Sequence, residues 1–211
     1  GQFTYMPEFM QIGGDIDGEA AGDYSGWSVS LSADGNTVAI GASENDANGN
    51  DAGHVRVYQK IEESWSQIGN DIEGEAANDK FGISVSLSSD GNIVAIGALL
   101  TSTGGHVRIY QNVAGSWSQI GNDIDGEFGG DHSAYVSLSA DGNTVAIGAD
   151  GNNGNGNDAG HVRVFENIAG SWSQIGQDID GEAGADNSGR AVSISSDGSR
   201  VAIGAYGNDG N

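Results

Sequence analysis

"SVSLSADGNTVAIGA", from Ser28 to Ala42, is the stretch that decides the fold. Val29 and Leu31 alternate with Ser28, Ser30 and Ser32, and Val38 and Ile40 alternate with Ala39 and Gly41. Such period-two alternation marks strands with one buried face. Between the two runs stands Asp34-Gly35, the chemistry of a tight hairpin, where a residue at positive φ is needed. The stretch returns as "SVSLSSDGNIVAIGA" from Ser84, "VSLSADGNTVAIGA" from Val136 and "VSISSDGSRVAIGA" from Val192.

Other landmarks keep step with it. "GHVRVYQ", "GHVRIYQ" and "GHVRVFE" begin at Gly53, Gly105 and Gly160, and "SWSQIG" begins at Ser64, Ser116 and Ser171. An acidic motif opens each unit: "DIDGEAAGD" at Asp15, "DIEGEAAND" at Asp71, "DIDGEFGGD" at Asp123 and "DIDGEAGAD" at Asp178. Each unit therefore holds four strands, A ("SVSLS"), B ("TVAIGA"), C ("HVRVYQ") and D ("WSQIG"), and no stretch shows a helical period. Four-stranded units of roughly 50 residues, repeated radially, build β-propellers.

The expected fold is an all-β, four-bladed propeller, a single domain over residues 1–211. The chain stops after strand B of its fourth unit, while "QFTYM" and "FMQIG" at the N-terminus read as strands C and D. Residues 1–14 are therefore expected to complete the last blade. The competing geometry is an open array whose end strands pair with a neighbouring chain. Trp65, Trp117 and Trp172 recur once per unit and are expected to pack between blades, with sugar stacking as the alternative.

The chain carries 30 Asp and Glu against 7 Lys and Arg, a net charge of −23. That balance disfavours nucleic acid and anionic lipid, which need Lys or Arg to neutralise them, and favours divalent cations or basic partners. With no cysteine, disulfides and thiolate metal sites are excluded. No run reaches the ~18 apolar residues of a membrane helix, and no signal-peptide pattern is visible.

"FGISVSLSSDGNIVAIGA", from Phe81 to Ala98, followed by "GHVRIY", resembles an FG-GAP repeat, the unit of integrin α-subunit propellers. Phe81-Gly82 matches the FG, and Gly97-Ala98 matches the start of GAP, with Leu99 in place of proline. Ser25-Gly26, Ser133-Ala134 and Ser188-Gly189 stand where FG is expected in the other units. The resemblance implies an extracellular or cell-surface module for adhesion or display, secreted or surface-attached, with Ca²⁺ as its expected ion and a protein or glycan partner. The family's calcium loop lies between strands A and B. Here that link is only "SADGN", too short and too poor in carboxylates for an ion that takes 6–8 oxygens.

Three groups of residues are candidate sites. The opening motifs spread their acids as oxygen ligands are spread: Asp15, Asp17, Glu19, Asp23; Asp71, Glu73, Glu75, Asp79; Asp123, Asp125, Glu127, Asp131; and Asp178, Asp180, Glu182, Asp186. Alternatively, they are solvated edge charges and turn caps. The B–C loops, with Asp46, Asn48 and Asn50, repeat the oxygen spacing but read equally as polar loops. Strand C repeats a His-x-Arg, His54/Arg56, His106/Arg108 and His161/Arg163, either ion-paired to neighbouring acids or forming one anion or sugar site per blade. No nucleophile elbow or zinc spacing is visible, so the expectation is a binding or structural module and not an enzyme. A strand-exchanged fibre or array and a multivalent lectin are the alternatives.

Overall fold

The computed structural model describes residues 10–99 and 104–210. They are all-β, with no helix, and form four antiparallel sheets. The first runs through β1 (Ser25–Leu31), β2 (Thr37–Ala42), β3 (His54–Ile61) and β4 (Ser64–Gln67), with β5 (Ile72–Glu73) also on β3. The second repeats this with β6 (Ser84–Leu87), β7 (Ile93–Ala98), β8 (His106–Val113), β9 (Ser116–Gln119) and β10 (Ile124–Asp125). The third has β11 (Ser133–Leu138), β12 (Thr144–Ala149), β13 (His161–Ile168), β14 (Ser171–Gln174) and β15 (Ile179–Asp180). In the fourth only β16 (Ser188–Ile194) and β17 (Val201–Ala205) pair. Innermost strands are neighbours in series, β1 beside β6, β6 beside β11 and β11 beside β16, as in a propeller.

The apolar core lies between blades. Ala39, Val55, Val57 and Ile72 of the first blade meet Val85, Leu87, Val94 and Ile96 of the second. Val107, Ile109 and Ile124 meet Val136, Leu138, Val145 and Ile147 in the same way at the next junction. Strand B is small on its back face because the blades touch there. A Cβ added at Gly41 would lie 2.1 Å from the carbonyl oxygen of Gly82, at Gly97 1.8 Å from that of Ala134, and at Gly148 1.9 Å from that of Gly189. The GAP-type glycine of each blade is thus pressed on the FG position of the next.

The serine face of strand A is not a solvent face. Ser30 Oγ accepts the N–H of Leu87 (2.9 Å), Ser84 Oγ that of Val136 (3.1 Å), Ser86 Oγ that of Leu138 (3.0 Å) and Ser137 Oγ that of Ile194 (3.0 Å). The hairpins also chain together: Ala33 N–H donates to Ser89 O, Ser89 N–H to Ala140 O, and Ala140 N–H to Ser196 O. The strand-D tryptophan indole N–H groups reach back one unit, Trp117 to Ile68 O (3.0 Å) and Trp172 to Ile120 O (2.9 Å), which places them between blades.

Trp65 makes the same bond to Ile12 O (3.2 Å), so the end of "FMQIG" seats on the first blade as a preceding D strand would. The rest of the expected closing strands falls in residues 1–9, outside the described residues. Among the described residues β17 pairs with β16 alone. Val29 and Leu31 are 64% and 59% exposed, whereas Val85 and Leu87, their counterparts, are 8% and 7% exposed. Among the described residues, no strand covers the front of the first blade.

Gly148→Ala is expected to lower stability by about 3 kcal/mol or more, because backbone stands where the methyl group must go. Gly14→Ala, with nothing within 4 Å of the added Cβ, is expected to change it by less than about 0.5 kcal/mol. Urea unfolding of the two variants checks both.

Candidate functional site

The opening motif does not fold as one ion loop. Its first three residues remain in the blade: Ile72 pairs with Val55 and Glu73 with His54, and β10 and β15 repeat this on His106 and His161. Alternation buries Ile72 and Ile124 and turns the flanking acids the other way. The motif's last acid does something else. Asp23, Asp79, Asp131 and Asp186 are buried and accept the backbone N–H of Ala20 (3.2 Å), Ala76 (3.0 Å), Phe128 (3.0 Å) and Ala183 (3.0 Å). Asn45 and Asn152 also donate to Asp23 and Asp131. These four are turn caps. Asp15, Asp71, Asp123 and Asp178 each accept from the glutamine four residues earlier.

The expected set of Asp15, Asp17, Glu19 and Asp23, and its repeats, is therefore corrected. Among the described residues no three acids of one motif draw together. The groups that do are Glu19, His54 and Asp71, and Glu127, His161 and Asp178, whose ligand atoms lie within 4.8 Å of one another. Each takes one acid from the motif entering the blade and one from the motif leaving it. That combination depends on strand C lying between the two motifs.

The His-x-Arg rows are buried, with His54, His106 and His161 between 1% and 5% exposed. Burial lowers the proton affinity of all three; Asp71 opposes this at His54, while Arg108 and Arg163 add to it at His106 and His161. Arg56 and Arg163 donate to the carbonyls of Asp17 and Asp125, both at 2.7 Å. Arg108 differs: it forks onto Asp123 (3.0 and 2.7 Å) and reaches Glu75 at 2.6 Å. Burial alone would raise Asp123, but the hydrogen bonds from Arg108 and Gln119 outweigh it and hold the carboxyl below its ordinary range. Glu73 is pushed up by burial and by the charges of Asp71 and Glu19.

The B–C loops are built, not loose. Asp46 accepts Asp51 N–H (2.8 Å), and Asn48 donates to Gly74 O (2.7 Å), as Asn155 does to Gly181 O (2.7 Å). Their ligand-like spacing is used internally. "LLTSTGG" of the second unit falls largely outside the described residues. One cluster had no sequence signal: buried Asp150 holds Arg190 (3.0 Å) and His132 (3.3 Å), and Arg190 also donates to the Tyr135 hydroxyl. Its members come from three different strands or turns.

Clefts open at two outer blade junctions. One, about 570 Å³, is lined by Asn122, Asp123 and Asp125 on one side and Arg163, Phe165 and Trp172 on the other. Arg163 lies over the Phe165 ring at 5.4 Å. The junction before the first blade repeats it with Asp15, Asp17, Tyr58 and Trp65, in about 370 Å³.

The fold and these junctions define a propeller-type repeat protein. The first unit, residues 16–58, matches the family model described as FG-GAP repeat. Those residues are thus similar to an FG-GAP repeat, a unit typical of extracellular or surface proteins. No curated protein matches the sequence. Among solved structures, similarity extends to the periplasmic gluconolactonase of Pseudomonas aeruginosa, at 15% identity over 87% of this chain and 54% of that one, TM-score 0.55. A protein of Bacteroides uniformis assigned as a 6-phosphogluconolactonase matches at 15% over 83% and 46%, TM-score 0.56. Hydrazine synthase of Kuenenia stuttgartiensis matches at 15% over 83% and 42%, TM-score 0.54. The chain thus spans about half the length of these structures, or less.

These similarities correct one expectation. The reading of the chain as not an enzyme is overturned, because the same propeller-like architecture is shared with structures named as lactonases.

Stability is expected to fall as pH drops below the ordinary histidine value of 6.5, since the unfolded chain then takes up protons that buried His106 refuses. Urea unfolding at pH 7.5 and pH 5.5, with chelator present, checks this, and His106→Gln should shrink the difference.

Proposed function

We propose that this chain is an extracellular or surface-displayed binding module whose blade-junction clefts take a neutral glycan. The observation that carries this is the repeated cleft itself. Acid and amide groups of one blade face an arginine and two aromatic side chains of the next. Carboxylates and amides accept and donate to sugar hydroxyls, while an aromatic wall covers the apolar face of a pyranose. Its volume lies in the range of small-molecule sites. The net charge of −23 selects against sulfated or carboxylated glycans. Repetition along the rim gives multivalency, so weak single sites sum to useful avidity.

A glycan array should show neutral sugars, and titration calorimetry should show their binding weakened by Asp125→Asn. A blank array at high protein concentration would overturn the reading. Hydrolysis of a sugar lactone, assayed in parallel and lost in the same variant, would make the cleft a catalytic site.

In a second reading, the fourth blade is completed by strands of another copy. Exposed Val29 and Leu31 leave an apolar front on the first blade for such a neighbour to cover. Light scattering after size-exclusion chromatography should show mass rising with concentration, and Leu31→Glu should hold the chain monomeric. Mass independent of concentration in the parent chain favours closure by its own residues 1–14.

A further inference from the structure

The paired acid–histidine groups on strand C are a different feature from the clefts. His54 is 1% exposed, and its Nδ1 has no hydrogen-bond partner. That nitrogen faces Glu19 Oε2 at 3.9 Å and Asp71 Oδ2 at 3.8 Å, too far for hydrogen bonds. Glu73, paired in register with His54, adds a second partnerless buried atom, Oε2. A buried nitrogen and a buried carboxylate oxygen left without partners cost free energy unless something fills them. Two acids and a histidine drawn together without hydrogen bonds between them leave a place for a cation.

The third blade gathers the same residue types, although the partnerless ring nitrogen of His161 is Nε2. Glu127, His161 and Asp178 lie within 4.8 Å, with His161 Nδ1 at 3.9 Å from Asp178 Oδ2. The second blade has the same residue types, Glu75, His106 and Asp123, but there the acids are taken by the guanidinium of Arg108 at 2.6 and 2.7 Å. An internal cation thus fills in the second blade the role left open in the first and third. The arginines of those two blades donate to backbone carbonyls and come only to 3.9 Å from Glu19 and Glu127.

We propose that the first and third blades each bind a first-row divalent cation of the zinc type, through Glu19, His54 and Asp71 and through Glu127, His161 and Asp178. A mixed imidazole and carboxylate set suits such an ion better than calcium, which takes oxygen ligands in larger number. Bonds of 2.0–2.2 Å in tetrahedral geometry set donors about 3.4 Å apart, so the His54 pairs at 3.8 and 3.9 Å need close by about half an ångström and no pair, all lying within 4.8 Å, by more than about 1.4 Å. Glu19 has the freedom to do so, its side chain being 47% exposed. Glu73 stands ready as a further oxygen donor in the first blade. Because each site joins the entering motif to the leaving one, the ion ties a blade to its predecessor's connection.

The test is zinc binding by the whole chain, stripped with chelator and then dialysed against Zn²⁺ in a large excess of Ca²⁺, which occupies the acidic surface. Metal analysis should give about two zinc ions per chain, matching the two groups. Glu19→Gln should remove one, with retained affinity at the other, and the double variant with Glu127→Gln should remove both. Glu75→Gln should keep two, because its blade carries its own cation. Cobalt in place of zinc should give a visible absorption spectrum of nitrogen and oxygen coordination, weakened in His54→Gln, and circular dichroism should show every variant folded. The proposal is overturned if calcium displaces the zinc, if the double variant keeps its zinc, or if Glu75→Gln loses as much as Glu19→Gln.

Discussion

The contact on which the rest depends is backbone against backbone at the blade junctions. Gly41, Gly97 and Gly148 let strand B approach the next blade so closely that a single methyl group has no room. That approach brings the inner strands within reach of one another's serine hydroxyls and stacks the hairpins in a hydrogen-bonded series. It also brings together two apolar faces, each too small to be a core alone. Burial between blades, not within them, is what makes the repeat stable, as in other stacked repeat proteins.

The same junctions generate every candidate site. Where the outer strand of one blade passes the aromatic and arginine side chains of the next, a cleft is left. Where strand C lies between two successive acidic motifs, acids from both converge on its histidine. Neither feature belongs to one unit, so each exists only once at least two neighbouring units are stacked.

The three blades show how nearly identical sequences settle differently. At the second, Arg108 compensates Asp123 and Glu75 directly. At the first and third, arginine is committed to the carbonyl of the preceding motif, and histidine faces the acids. Desolvation makes some compensation necessary in each case, because buried carboxylates without partners are costly. Arginine provides it at short range in one blade, and in the other two it stands 3.9 Å from Glu19 and Glu127.

Much of this was legible in the chain itself. Alternation in "SVSLS" and "TVAIGA", the Asp-Gly turns and the regular spacing determined an all-β fold of four-stranded units, because side-chain period and turn chemistry are local properties. The tryptophans were legible as junction residues, because they recur once per unit. What the acidic motif does was legible in part. The turn-cap reading holds for Asp23, because a cap is a local contact, but spacing that imitates a calcium loop gave no sign that Asp15 accepts from a glutamine or that Glu19 looks toward a histidine and an aspartate from further along the chain. Strand C brings those groups together across some 35–52 residues, and no local pattern records a contact of that range. The sequence by itself determined the units and their strands; only the tertiary structure decided which acids meet, because that depends on how one blade lies on the next.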